Sequence, residues 1–204
     1  MEILGRLFGS EARVKLIRLF VFNPDIAFDA KTAAEKSKVS LSVAKKECAL
    51  FAKMGLVHAK SFSKTVRRKK GKKTVEKKVS AHGFMANPSF PHLAALRALV
   101  ANTKAFAGGD IVKRLGKAGK LKFVAVAGVF TQNPDSRLDI LIVGDRLKGG
   151  VISGVMKSIE AELGRELLYA WFETDEFRYR LGMYDKLVRD ILDYPHQVLF
   201  DRIF

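Results

Sequence analysis

Ser40-Leu41-Ser42-Val43-Ala44-Lys45-Lys46-Glu47-Cys48-Ala49-Leu50-Phe51-Ala52-Lys53-Met54-Gly55-Leu56-Val57-His58-Ala59-Lys60 is the stretch whose reading decides the fold of this chain. Ser40 is placed to cap a helix over Leu41 to Met54, and Gly55 suits the left-handed residue that ends one. Ala44, Cys48 and Phe51 recur at helical spacing, so they share one buried face. Ser42, Lys45, Lys46 and Ala49 fall on another, which is small or basic. After Gly55 the alternation of Leu56 to Lys60 reads as a strand.

Upstream, Ser10 can cap a helix through Val14, Ile17, Leu19, Phe20 and Val21, which Pro24 ends. Asp29 can cap a shorter helix through Ala33, Ala34 and Lys36, and the turn Ser37-Lys38-Val39-Ser40 leads into the next. Two helices joined by so short a turn predict a helix-turn-helix, with the small, basic face of the second suited to a major groove. Downstream, Thr74 to Met85 reads as the return partner of the strand. Between them the run from Lys60 to Lys78 holds ten Lys or Arg against the single acid Glu76. Strand, basic tip and strand predict a wing lying on phosphates or in the minor groove, with Gly71 fitting a tip that orders on binding.

The charge balance points the same way. Residues 1–120 carry 26 Lys and Arg against 8 Asp and Glu, whereas residues 121–204 carry 11 against 13. A localised excess of that size attracts polyanions, because each neutralised phosphate releases counterions. Phosphate attraction alone does not separate DNA from RNA. The lone Cys48 excludes an intrachain disulfide and fits a reducing compartment. The amino-terminal residues show no signal peptide, and the apolar stretch Phe123 to Phe130 is far too short to span a bilayer. We therefore expect a cytoplasmic, nucleoid-associated protein without membrane segments.

Leu7 to Pro24, Ser37 to Val57 and Phe84-Met85-Ala86-Asn87-Pro88 together resemble the winged helix-turn-helix transcriptional regulators of the ArsR/MarR-like type. The resemblance covers about residues 4–90, and the basic wing is longer than the family pattern. It implies binding of double-stranded DNA, usually as a homodimer on a two-fold site. The expected contacts are Ser40, Ser42, Lys45 and Lys46 on the helix. On the wing they are Lys60, Lys64, Arg67, Arg68, Lys69, Lys70, Lys72, Lys73, Lys77 and Lys78.

Pro88 and Pro91 mark a domain boundary, giving expected domains 1–90 and 91–204. A helix is predicted over His92 to Phe106, then one capped by Asp110, then strands Phe123 to Phe130 and Leu138 to Val143. A helix from Val151 to Leu163, a strand Glu166 to Phe172, helices after Asp175 and a short strand Gln197 to Phe200 complete the pattern. This order predicts a small α/β domain, so the chain as a whole is expected to be α+β.

Gly128-Val129-Phe130-Thr131 followed by Ser136-Arg137-Leu138-Asp139-Ile140-Leu141-Ile142-Val143-Gly144 resembles the minimal nucleotidyltransferase fold of the polymerase-beta type. That family places a Gly-Ser pair, a short loop and Asp-x-Asp ahead of an apolar strand, because paired carboxylates hold two catalytic metal ions. Gly128 and Asp139 match, but Val129 replaces the Ser and Arg137 replaces the first Asp. The strand expected to bring a third carboxylate has no acid within Leu167 to Phe172. The reading is a nucleotidyltransferase-like domain without catalytic residues, bound metal or cofactor, in which Asp139 pairs with Arg137 or another neighbour, or caps a turn. Its roles could be dimerisation, binding a protein or sensing a nucleotide.

No P-loop, CxxC pair or GxSxG occurs, and the four His residues have no metal-ligand spacing. The expected function is a DNA-binding transcription regulator. The alternatives are an architectural protein that coats DNA with little sequence preference, favoured by the absence of Arg, Asn and Gln from the reading face, and an active nucleotidyltransferase.

Overall fold

A computed structural model describes residues 3–70, 73–101, 108–131, 133 and 136–204, with side chains described outside 66–75 and 108. The chain divides into two compact units, Met1–Ala101 with Ala161–Arg165, and Asn102–Glu160 with Glu166–Phe204. Both combine helices with a small sheet, as an α+β chain should. Among the described residues no helix is long and apolar enough to cross a membrane.

The first unit opens with α1 (Ile3–Leu7) and α2 (Glu11–Phe22), the latter capped by the Ser10 hydroxyl, which accepts from the Arg13 N–H at 3.2 Å. Residues Leu16 to Val21 are buried on all sides of α2, and the helix forms the axis of the core. Phe20 meets Phe28 and Phe51 edge-on, with ring centroids 5.9 and 6.4 Å apart. Helix α3 (Ala30–Ser37) is capped by Asp29, which accepts from Thr32 N at 2.7 Å. Lys38 then turns the chain in the left-handed region, and α4 (Leu41–Lys53) starts from its Ser40 cap. Gly55, at φ +77°, ends α4 as expected.

Strands β1 (Val57–Lys70) and β2 (Lys73–Ala86) are each 14 residues long and pair antiparallel from Val57 opposite Ala86 to Lys70 opposite Lys73. The sequence predicts a basic tip between a short strand ending at Lys60 and a return strand starting at Thr74; instead Lys64 to Lys70 and Lys73 lie on paired backbone. Ladder hydrogen bonds are indifferent to side-chain charge, and the β-branched Thr65, Val66, Thr74, Val75 and Val79 favour extended backbone. Phe28 adds one antiparallel bridge to Phe84, with reciprocal N–H to carbonyl bonds of 2.9 Å. Only glycine fits beside it, because a Cβ on Gly83 would lie 2.3 Å from the Phe28 carbonyl oxygen.

Helix α5 (Leu93–Val100) is shorter than the predicted His92 to Phe106, of which 102–107 lie outside the described residues. Val100 is buried in the first core, and Phe90, Leu93 and Leu96 pack against it. The division therefore falls after Ala101 rather than after residue 90, since the prolines bend the chain without ending its core. Ala161–Arg165 also belongs to this unit. Arg18, 2% exposed, donates to the carbonyls of Val100 and Glu162 at 3.0 and 2.9 Å.

The second unit holds α6 (Gly108–Leu115), β3 (Lys120–Val126), β4 (Ile140–Asp145), α7 (Gly149–Leu163) as far as Glu160, and β5 (Tyr169–Glu173). Helices α8 (Thr174–Gly182) and α9 (Lys186–Leu192) and strand β6 (Gln197–Asp201) follow. The sheet order is β5-β4-β3-β6, with β5 parallel to β4 and the other pairs antiparallel. Ile140 to Val143 are buried on both faces, which explains the unbroken apolar run of this central strand. Phe123, Leu141, Val143 and Phe172 form a core with Phe177, Val188 and Ile191, and Phe123 stacks on Phe177 at 6.0 Å.

Two predicted caps fall elsewhere. Asp110 lies inside the first turn of α6 and pairs with Arg114 at 2.7 Å. Asp175 lies inside α8, while Asp185 caps α9 by accepting from Leu187 and Val188 N. The predicted strand to Phe130 stops at Val126, because Gly128 at φ +52° starts a 3-10 turn over Gly128–Phe130.

Candidate nucleic-acid interface

Helix α4 sorts its residues sharply. Ala44, Cys48 and Phe51 are fully buried, while Ser42, Lys45, Lys46 and Ala49 are exposed, as the periodicity predicts. Ser40 is exposed but occupied: its hydroxyl accepts from Val43 N at 3.3 Å and lies 3.1 Å from the Ser42 hydroxyl. The only acid of α4, Glu47, is 5% exposed and turned inward. Arg13 of α2 grips it as a fork, Nε to Oε2 at 2.8 Å and Nη2 to Oε1 at 3.1 Å, and also donates to the Phe8 carbonyl. The hydrogen bond that Arg13 donates to Glu47 holds its guanidinium above the ordinary pKa, outweighing partial burial. The outer face of α4 is therefore free of negative charge. No local pattern announces this pair, whose members are 34 residues apart.

Cys48 is no ligand. Burial, aided by the neighbouring Glu47 charge, pushes its thiol up from 9.0 to about 11. A group held protonated in this way stabilises the fold fully below pH 9, and that contribution drains away as pH rises towards 11. Two pH units correspond to roughly 2–3 kcal/mol. Urea denaturation followed by circular dichroism at pH 8 and pH 10.5 should show a steeper loss for the native chain than for Cys48→Ala; parallel losses would clear the thiol of this role.

On the hairpin Lys60, Lys77 and Lys78 are exposed. Arg67, Arg68, Lys69, Lys70 and Lys73 lie on the ladder, with Arg67 registered opposite Glu76; Lys72 lies outside the described residues. Lys64 departs from expectation. Its ammonium is paired with Asp29, the cap of α3, and is half-buried there, so it anchors the hairpin to the helices rather than presenting itself to a ligand. Burial works to raise the Asp29 carboxyl, but the hydrogen bonds from Lys64 and Thr32 prevail and hold it below the usual range.

Behind α4 an apolar groove of about 490 Å³ runs between Leu50 and Phe51 of α4, Met54 that follows it, Ile17 of α2, and Leu96 and Leu99 of α5. Met54 and Leu99 on its rim are 51% and 45% exposed.

In the second unit Gly128, Val129, Arg137 and Asp139, the residues read against the transferase pattern, make structural contacts. Asp139 Oδ1 accepts from Val129 N at 2.9 Å and Oδ2 accepts from Leu168 N at 2.8 Å, so one carboxylate ties the turn after β3 to the entry of β5. Of the partners left open by the sequence, Asp139 thus takes the turn. Arg137 pairs instead with Asp190 of α9 at 3.1 Å. Gly128 is required by this arrangement, since a Cβ there would lie 2.2 Å from Asp139 Oδ1. The nearest acid on β5, Glu173, closes the strand at the opposite end and accepts from Arg146 and Leu147 N, both at 2.9 Å. Five residue steps along the strand separate it from Leu168, roughly 16 Å. Among the described residues no group of three or more His, Cys, Asp or Glu could hold a metal ion. Compared with known proteins, the chain matches no family model, no curated protein and no solved structure.

Proposed function

We propose that this protein binds double-stranded DNA as a winged-helix transcription regulator, with α4 in the major groove and the β1–β2 hairpin along the backbone. The observation that carries the reading is the outer face of α4, where Ser42, Lys45 and Lys46 are exposed and the one acid is buried against Arg13. The order helix, single bridge, helix, turn, helix and long basic hairpin supports it, because it delivers that face and the cations to one ligand. The groove behind α4, with Met54 and Leu99 on its rim, favours a homodimer in which this apolar surface is covered.

The second unit is, on this reading, a nucleotidyltransferase-like scaffold without transferase chemistry. Both oxygens of Asp139 are spent on backbone N–H groups, and Arg137 brings positive charge where the family pattern has a metal-binding acid.

Selection from a random duplex library at about 150 mM salt tests the proposal. A palindromic consensus is expected, with a half-site spacing that reports the dimer. Tight binding without an enriched sequence would replace it with the architectural reading, which the absence of Arg, Asn and Gln from the exposed face of α4 favours. Failure to retain any duplex would overturn both.

A further inference from the structure

Cutting the chain where its units divide redistributes the charge. The first unit carries 22 basic and 8 acidic residues, the second 15 and 13. The second is polarised, however: residues 102–160 hold 10 against 5, and residues 166–204 hold 5 against 8. Five of those cations belong to residues 102–120, which lie in the second unit and not in the basic amino-terminal one.

The fold gathers several of them at one place. Lys120 is registered opposite Asp145, and Lys148 N donates to the Ala118 carbonyl at 2.7 Å. A Cβ on Gly119 would lie 2.8 Å from the Arg146 carbonyl oxygen. Lys117 and Lys120 are thereby set beside Arg146 and Lys148, at the end of the sheet where β3 begins and β4 ends, with Lys113 one helical turn before Lys117. All five side chains are exposed. The two acids at this end are engaged: Glu173 by Arg146 and Leu147 N, and Asp145 by the Thr174 hydroxyl and, at 3.9 Å, by Lys122. Asp175 and Glu176 open α8 beyond β5, two strand positions from β3.

We propose that this cluster is a second phosphate-binding surface, which takes the backbone of the same nucleic acid; the inference rests on the DNA-binding reading of the first unit. It lies at the opposite end of the sheet from Gly128 and Asp139, so it owes nothing to the transferase-like motif. Its composition selects a polyanion over a protein partner. Among the described residues none of the large exposed apolar side chains falls within 108–150; Trp171 of β5, 39% exposed, borders the cluster at Gly149, whereas a protein interface needs a group of such anchors at its centre. Spread cations around a single aromatic edge suit a regularly charged backbone, where each contact contributes by counterion release.

The test measures binding of the full chain to a 40-base-pair random duplex across a salt series. The triple variant Lys117→Gln/Lys120→Gln/Lys148→Gln removes three contacts, each worth about 0.9 in the slope of log K against log salt. The slope should shrink by about 2.7, and affinity at 150 mM salt should fall roughly 10²-fold. All three lysines are exposed, so the thermal transition should be unchanged, and Lys117→Glu/Lys120→Glu/Lys148→Glu should weaken binding further. An unchanged slope in the glutamine variant, while the native chain binds with its full salt dependence, overturns this surface and leaves the first-unit reading intact. So does weakening seen only with glutamate, which reports field repulsion rather than contact. A native chain that binds no duplex overturns both.

Discussion

Replacing Arg67, Arg68, Lys69 and Lys70 together by Ala should reduce the affinity for duplex DNA about 10³-fold at 150 mM salt. The reasoning is electrostatic. Four phosphate contacts at about 0.9 each shrink the salt slope by about 3.6, and that shift, referred to 0.15 M, gives the stated loss. The four residues occupy paired backbone in β1, opposite Lys73 to Glu76, so removing them subtracts charge from a ladder whose hydrogen bonds remain. The loss should be nearly the same for all sequences, because backbone contacts position the protein and do not read bases. Lys64→Ala provides the contrast. Its ammonium is held by Asp29 at the start of α3, so its removal should leave the slope almost untouched and lower stability instead, by about 1 kcal/mol. An undiminished slope in the fourfold variant would take the hairpin out of the interface.

Gly128→Ala should destabilise the second unit by about 3–4 kcal/mol, combining the cost of a side chain in the left-handed region with that of overpacking. At φ +52° the new methyl would sit 2.2 Å from Asp139 Oδ1, and the carboxylate that bridges Val129 and Leu168 would have to leave. Asp139→Ala should cost about 1–2 kcal/mol, chiefly by orphaning the part-buried Val129 N–H, since the exposed Leu168 N–H can turn to water. Trp171, the only tryptophan, lies on β5 of this unit, so its fluorescence reports the transition directly. A drop of roughly 1.5–2 M in the urea midpoint is expected for Gly128→Ala. A midpoint within 0.3 M of the native value, against about 2 kcal/mol per molar, would show that the pair is not structural. In that event Gly128 and Asp139 would need a chemical explanation, and incorporation of labelled nucleotide with Mg²⁺ or Mn²⁺ would be the place to look.

Both expectations depend on the same kind of event, an ionic group whose role is set by a distant partner. Lys64 and Arg137 look alike in the sequence, as cations in polar stretches. One is secured by Asp29, 35 residues earlier, and the other by Asp190, 53 residues later. Glu47 reads as an ordinary helical acid until Arg13 is brought to it. The same holds for the boundary between units. Pro88 and Pro91 punctuate the chain locally, but whether α5 closes the first core or opens the second depends on what Val100, Leu93 and Leu96 touch.

The sequence by itself determined the local architecture of this protein: the caps Ser10, Asp29, Ser40, the stop at Gly55, the buried stripe Ala44, Cys48, Phe51 and the apolar run of β4. Each is a preference of backbone and side chain acting within a few residues, so it is written in short-range order. The length of the hairpin, the burial of Glu47, the capture of Lys64, the use of Asp139 as a brace and the meeting of Lys117 and Lys120 with Arg146 and Lys148 were decided only by the tertiary structure. Most of these bring together residues far apart in the chain, so they exist only once hydrophobic burial in the two cores has set the elements that carry them side by side.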